Sequence, residues 1–157
     1  MSSAVITIAD PAEPSIRVLI EELDAYMIPL YPAESNHLLD IETLRQPEMR
    51  FFAAIARDAF DERQVLGCGG GWLHEDYAEI KRVYVSPKAR GLGLAKRLMD
   101  RIEAEALANG RRIARLETGM LQPEALGLYR RLGYADRGPF GDYGEDPNSV
   151  FMEKLLG

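Results

Sequence analysis

Lys88, Arg90, Gly91 and Gly93 fall within one short run, Val85-Ser86-Pro87-Lys88-Ala89-Arg90-Gly91-Leu92-Gly93-Leu94-Ala95. Two cations there flank two residues that lack the Cβ atoms which would keep an anion away from the backbone. A helix starting directly after such a loop has first amides without intrahelical partners, and its summed peptide dipoles leave about half a positive charge at that end. The chemistry expected of the run is anion binding, as at the phosphate end of a cofactor site.

Two elements must position the loop. Ile80 to Val85 is rich in β-branched and aromatic residues and reads as a strand, which Pro87 ends because it cannot donate to a ladder. After the loop, Leu92, Ala95, Leu98, Met99, Ile102 and Ala106 recur every three or four residues as one apolar helix stripe, with Asn109-Gly110 as its stop. A lone Gly-x-Gly also serves ordinary tight turns, so the weight rests on the order strand, Pro, Arg-Gly-x-Gly-x-Ala, amphipathic helix. A dinucleotide-binding fingerprint needs a third glycine where this chain has Lys96, and a phosphate loop ending in Gly-Lys-Ser/Thr is absent.

This composite resembles motif A of the GNAT superfamily, the acetyl-coenzyme-A-dependent N-acetyltransferases, whose loop signature is met by Arg90, Gly93 and Ala95. Further on, Gln122-Pro123-Glu124-Ala125-Leu126-Gly127-Leu128-Tyr129-Arg130-Arg131-Leu132-Gly133-Tyr134 resembles motif B, with Pro near the first helical turn and Gly133 as terminator. The resemblance covers Ala78 to Tyr134 well and the flanks in their order of elements. It implies a single α/β domain over residues 1–157, with a mixed, mostly antiparallel sheet splayed beside the cofactor strand and helices on both faces.

It also implies site residues. Acetyl-CoA would lie along Val83, Tyr84 and Val85, with its phosphates over Lys88, Arg90, Gly91, Leu92, Gly93, Leu94 and Ala95. Gln122 would touch the cofactor where the motif often has Asn. Glu79 stands where many family members carry the carboxylate that takes a proton from the acceptor ammonium. At about 3.3 Å per residue it lies roughly 20 Å of strand upstream of Val85, on the acceptor side. The other reading of Glu79 is an ion pair with Lys81 or Arg82. Tyr129 matches the tyrosine that donates to the leaving thiolate, a task suited to a phenol with an ordinary pKa near 10. It also belongs to a plain core stripe with Ala125, Leu128 and Leu132. Attack would be direct, through a tetrahedral intermediate met by a strand amide such as that of Val83.

The remaining chain supplies a frame. Ala4 to Ile8 reads as a first strand, followed by a helix with Asp10 as cap, Pro11 at its first position, Glu13 closing a capping box and a stripe of Ile16, Leu19, Ile20, Leu23 and Met27 up to Pro29. Tyr31 to His37 is a polar and aromatic connection to a second helix, capped near Ser35 and striped by Leu38, Ile41 and Leu44. Tyr31, Ser35 and Asn36 are candidate acceptor contacts, as the corresponding loop in the family walls the acceptor site. Arg50 to Arg57 and Val65 to Leu73 read as a hairpin, and Gly67-Cys68-Gly69-Gly70-Gly71 within it signals a bulge or a close approach to the backbone. Arg112 to Thr118 and Ser149 to Leu155 are further strands. Between the motif B helix and the last strand, Ala135 to Asn148 reads as a long loop bringing Phe140 and Tyr143 to the site.

Composition excludes several classes. The 157 residues suffice for one core without disulfide or metal, and the formal charge of −6 gives nucleic acid no electrostatic encouragement. Cys68 is the only cysteine, so an internal disulfide and a cysteine-based zinc cluster are out, and it reads as a small core residue. No metal is expected. With neither a long apolar run nor a basic, apolar leader, the expectation is a soluble cytoplasmic protein away from membranes. A homodimer is left open. The expected acceptor is a small-molecule amine or amino acid, with a protein N-terminus or lysine, or a non-catalytic acyl-CoA sensor, as the alternatives.

Overall fold

The computed structural model describes residues 4–33 and 40–157. Seven strands form one sheet: β1 (Val5–Ile8), β2 (Met49–Arg57), β3 (Arg63–Leu73), β4 (Ala78–Val85), β5 (Ile113–Gly119), β6 (Ala135–Arg137) and β7 (Ser149–Leu155). Their order across the sheet is β1-β2-β3-β4-β5-β7-β6. Every neighbouring pair is antiparallel except β4 with β5, which is parallel and holds only two residue pairs, Ala78 with Ala114 and Glu79 with Arg115. Beyond Glu79 the two strands part.

Among the described residues four α-helices cover the two faces: α1 (Pro14–Met27), α2 (Ile41–Leu44), α3 (Leu94–Ala108) and α4 (Pro123–Arg131). The α1 stripe Ile16, Leu19 and Ile20 packs with Leu44 of α2 on Phe51, Ala53 and Cys68. On the opposite face Leu98, Met99, Ile102 and Ala106 of α3 pack with Tyr129 of α4 on Phe52, Ile80, Leu116 and Met152. Buried aliphatic side chains of this kind stabilise by about 1.5–3 kcal/mol each, so both helix layers are strongly bound to the sheet. The glycine run of β3 serves this packing. A Cβ on Gly71 would come within 2.8 Å of Ile102 Cγ2, and one on Gly69 within 2.9 Å of Val83 Cγ2 and 3.3 Å of Ile102 Cδ1. These glycines let α3 approach the strand backbone closely.

The same hairpin partner contains an irregularity that shapes the site. Cys68 pairs with Tyr84 but Gly70 pairs with Lys81, so β4 carries an extra residue opposite β3. Within that bulge Arg82 takes φ of +59°, a left-handed conformation costly for a residue with a Cβ. Its guanidinium forms an ion pair with Asp24 on α1, which pins the bulge to the helix layer.

Several expected boundaries move. Helix α1 starts at Pro14 rather than Pro11, with Glu13 as a cap whose side chain bonds no helix amide but accepts from Ser15 and Arg63, while Asp10 Oδ1 accepts from the Ala12 amide in a turn ahead of it. Pro14 imposes this start, since proline is best placed where the helix needs no amide donor. Asp40 caps α2, accepting from the Thr43 amide at 2.8 Å, while the expected cap Ser35 and Leu38 lie outside the described residues. In α3 the stripe begins at Leu94, which is buried, whereas Leu92 is 60% exposed in the loop. Residues 135–137, expected as loop, form the short edge strand β6 on β7.

Candidate active site

The parting of β4 from β5 opens a cleft in the middle of the sheet. Ile80, Lys81, Arg82 and Val83 form one wall and Leu116, Glu117, Thr118 and Gly119 the other. Leu23, Met27 and Tyr31 close it from the α1 side, and Gln122, Ala125 and Tyr129 from α4, with Asn148 at the rim. The parted strands still carry backbone groups that need partners. Ser86 N–H donates to Leu66 of β3 at 2.8 Å, so by strand alternation the Val85 amide faces the parted side. An extended ligand lying there would complete the ladder.

At the end of β4 a single 3₁₀ turn, Pro87–Ala89, leads into the glycine loop. Gly91 and Gly93 have φ of +84° and +73°, and a Cβ on either would meet nothing within 4 Å. Backbone conformation selects these glycines, and the space before them is open. Arg97 N–H donates to the Gly93 carbonyl at 3.2 Å as the α3 ladder begins, so the amides ahead of it point out of the helix end. Of the nearby cations, Lys88 reaches Gln64, Lys96 pairs with Asp100 and Arg97 binds the Ala4 carbonyl. Among the described residues no ion pair or side-chain hydrogen bond holds Arg90, which is exposed beside the loop. This combination fits a phosphate.

Tyr129 sits on α4 with its ring in the core, edge-on to Tyr134 at 5.9 Å, while the side chain also lines the cleft. Its hydroxyl makes no hydrogen bond within the described residues. Burial, followed by the nearby Glu117 charge, pushes its pKa up to about 12. A hydroxyl kept protonated on a cleft wall can donate to a ligand.

Glu79 is placed differently. It is 3% exposed at the closed end of the cleft and is not among the cleft walls. Tyr143 donates to its Oε2 at 2.6 Å, Lys81 Nζ reaches the same oxygen at 3.3 Å, and His74 Nε2 lies 3.1 Å from Oε1. Lys81 also donates to the Tyr143 hydroxyl at 3.0 Å. Burial and then the Glu79 charge raise the Tyr143 pKa, so the phenol stays a donor. Of the two partners read from sequence for Glu79, Lys81 is the one it has, and Arg82 goes to Asp24. Phe140 lies in a buried aromatic group with Tyr77 and Phe151 behind this network. Ser35 and Asn36 lie outside the described residues.

Two residues read separately from sequence prove to be joined. Tyr31 reaches across to the turn after β5, donating to Gln122 Oε1 at 3.2 Å and accepting from the Leu121 amide at 3.2 Å. Gln122 Oε1 also accepts from the Gly119 amide at 3.1 Å. Gly119 is glycine because the Tyr31 hydroxyl occupies its side-chain space: a Cβ there would lie 1.6 Å from that oxygen. Sequence reading missed Glu117, a half-buried carboxylate on the β5 wall that accepts from Ser149 Oγ at 2.7 Å. Its signal, the one acid of the strand, becomes meaningful only once β5 is known to leave β4.

Among the described residues no helix is long and apolar enough to cross a membrane, and no cluster of metal-ligating side chains occurs. The sequence model of the Acetyltransferase (GNAT) family matches residues 16–134. The IAA acetyltransferase of Azospirillum brasilense is 48% identical over 158 residues, covering 99% of this chain and 100% of that one. The uncharacterized N-acetyltransferase YsnE of Bacillus subtilis is 38% identical, with 88% and 90% covered. A solved Klebsiella pneumoniae structure, described as an acyl-CoA N-acyltransferase, superposes with a TM-score of 0.80 at 35% identity over 98% of each chain. An aminoglycoside 6'-N-acetyltransferase complexed with coenzyme A has the same fold, with a TM-score of 0.70 at 20% identity over 96% of each chain.

Gly119→Ala should therefore evict Tyr31 from the β5 turn and cost about 1–3 kcal/mol by urea unfolding, the range for overpacking a tight site. In a Tyr31→Ala background the same substitution should cost close to nothing. Equal costs in both backgrounds would mean that the two residues are not coupled.

Proposed function

The chain belongs to the GNAT family of acetyltransferases, and on that premise we propose that it moves the acetyl group of acetyl-CoA to the primary amine of a small molecule. The observation that carries this reading is Tyr129, a buried residue that lines a cleft between two parted parallel strands and whose hydroxyl makes no hydrogen bond within the described residues. Acetyl-CoA supplies an activated thioester.

The chain's own residues do the rest. The amides of the loop ahead of α3, with Arg90, hold the phosphates, and the parted edge of β4 at Val83 and Val85 takes the pantetheine arm as an added strand. This fixes the thioester between β4 and β5, near Tyr129. Tyr129 donates its proton to the sulfur as the carbon–sulfur bond breaks, and burial prevents it from ionising first. The amide of Val83 is aimed at the carbonyl oxygen, where negative charge develops. Glu79 fixes Lys81 and Tyr143 and so shapes the closed end of the cleft. The Tyr31–Gln122 bridge narrows the mouth, which favours a small acceptor over a polypeptide. Relatives named for acetyl transfer support an enzyme rather than a silent acyl-CoA sensor, and an acceptor screen decides between them. Wild-type protein with acetyl-CoA should release free thiol with at least one amine of a mixed panel, whereas a sensor binds the cofactor and releases none.

Two variants divide the site. Tyr129→Phe should lower kcat by about 10²-fold, the usual scale for one acid, with coenzyme A affinity nearly unchanged. An unchanged kcat at saturating substrates would return Tyr129 to the core. Gly93→Val should weaken coenzyme A binding at least tenfold by calorimetry, because its branches fill the open space before the loop. The left-handed backbone there adds a folding cost of about 1–2 kcal/mol, so affinity is read on folded protein. Unchanged affinity would remove the loop from the phosphate site.

A further inference from the structure

Single exposed apolar side chains are ordinary on a protein surface, whereas several gathered at one place mark contact with something else. Phe60 in the β2–β3 hairpin, Leu107 near the end of α3 and Leu155 at the end of β7 are of the ordinary kind, on separate elements and outside the cleft lining. Four others are not. Tyr26, Ile28, Met120 and Leu121 are each between 46% and 54% exposed, and all four stand next to the cleft in the chain. Tyr26 and Ile28 flank Met27, which closes the cleft from the α1 side. Met120 and Leu121 form the turn from Gly119 to Gln122, both of which line it.

Tyr31 ties these two segments together at the mouth. The 3₁₀ turn Ile28–Leu30 leads directly to it from α1, and Tyr26 lies close enough to act electrostatically on its hydroxyl. That hydroxyl accepts from the Leu121 amide and donates to Gln122, while the Met120 amide donates to the Asn148 carbonyl at the cleft rim. The backbones on both sides of the opening are therefore fixed, and their apolar side chains form a collar around it. Inside, the apolar lining continues through Leu23, Met27, Ile80 and Leu116. The cations of the β4 wall bring carboxylates of their own, Lys81 with Glu79 and Arg82 with Asp24, so neither stands there as a lone charge for an acidic guest.

We propose that the acceptor is an amphiphilic primary amine, whose amino group enters the cleft on a slender stem while an apolar body rests outside on Tyr26, Ile28, Met120 and Leu121. This deepens the acetyltransferase reading and rests on it. The Tyr31–Gln122 bridge admits the stem, and the collar takes the body out of water. Thioether and phenol side chains suit such a guest, because methionine adapts to irregular apolar shapes and a tyrosine ring offers a broad apolar face with a wet edge. Full burial of a methylene is worth about fourfold in affinity, and a methylene covered on one side by the collar should gain about twofold.

The test measures thiol release from acetyl-CoA with ethylamine, butylamine, hexylamine and octylamine, and with pentane-1,5-diamine, which matches hexylamine in length but ends in a charge. Free amino acids and polyamines complete the panel. Wild-type kcat/KM should rise about twofold per methylene along the series, and hexylamine should exceed the diamine by about fivefold or more. With Met120→Ser and Leu121→Ser together, the octylamine value should fall about tenfold, while ethylamine turnover and coenzyme A affinity stay within about twofold. Phe60→Ser, in the distant hairpin, should change neither amine. A flat wild-type series, a diamine as good as hexylamine, turnover confined to amino acids or polyamines, or a slope that the double variant leaves intact overturns the assignment and leaves the acetyltransferase standing. Wild-type protein that releases no thiol with any amine overturns the underlying reading and the assignment with it. A wild-type dimer that the double variant converts to monomer in gel filtration gives the collar to a second copy of the chain, and overturns the assignment too. Should the double variant fail to fold, Tyr26→Ser decides: octylamine turnover should fall about threefold with ethylamine unmoved, and equal effects on both overturn the assignment.

Discussion

The separation of β4 from β5 is the constraint on which the rest of the molecule depends. Two parallel pairs hold the strands together at Ala78 and Glu79, after which each edge carries amides and carbonyls without a ladder. Buried backbone groups left in that condition cost about 1–3 kcal/mol each unless they find partners, so an open seam in a sheet persists only where something pins it. Here the pin is Arg82. Its left-handed backbone supplies the bulge that turns β4 away, and its ion pair with Asp24 ties the bulge to α1. Helix α1 is in turn fixed to the sheet by Ile16, Leu19 and Ile20, so the cleft inherits its width from the packing of a helix whose residues do no chemistry.

That dependence explains how two similar carboxylates differ in circumstance. Glu79 lies where the strands are still paired, and burial obliges it to collect donors: the Tyr143 hydroxyl, the Lys81 ammonium and the His74 ring. A buried carboxylate so surrounded is expensive to disturb, and removing one partner would leave the others uncompensated. Glu117 lies where the strands have parted and lines the cleft between them.

The same fork marks the limit of what could be read from residues alone. The glycine loop, the α3 stripe from Leu98 onward, the Pro123 start and Gly133 stop of α4, and the close packing on the β3 glycines were all legible, because each is a local preference of backbone or side chain. The start of α1 was misplaced because Asp10 followed by Pro11 satisfies the capping rules as well as Glu13 followed by Pro14 does. Leu92 fits the helical spacing yet falls before the first turn, because Gly93 is the cap. Strand β6 is three residues long and draws its stability from β7, which no local pattern records. The bulge at Arg82 was invisible, since nothing in an arginine advertises a left-handed backbone.

The central claim is that the parted edge of β4 and the loop ahead of α3 together form the acetyl-CoA site, and amide hydrogen exchange of the wild-type chain with and without coenzyme A tests it most directly. The account predicts slowed exchange at Val83, Val85 and the amides from Gly91 to Ala95, with Ala114 and Leu116 on the far side of the fork changing much less. Protection confined to other elements, or none at a saturating concentration of coenzyme A, would contradict it.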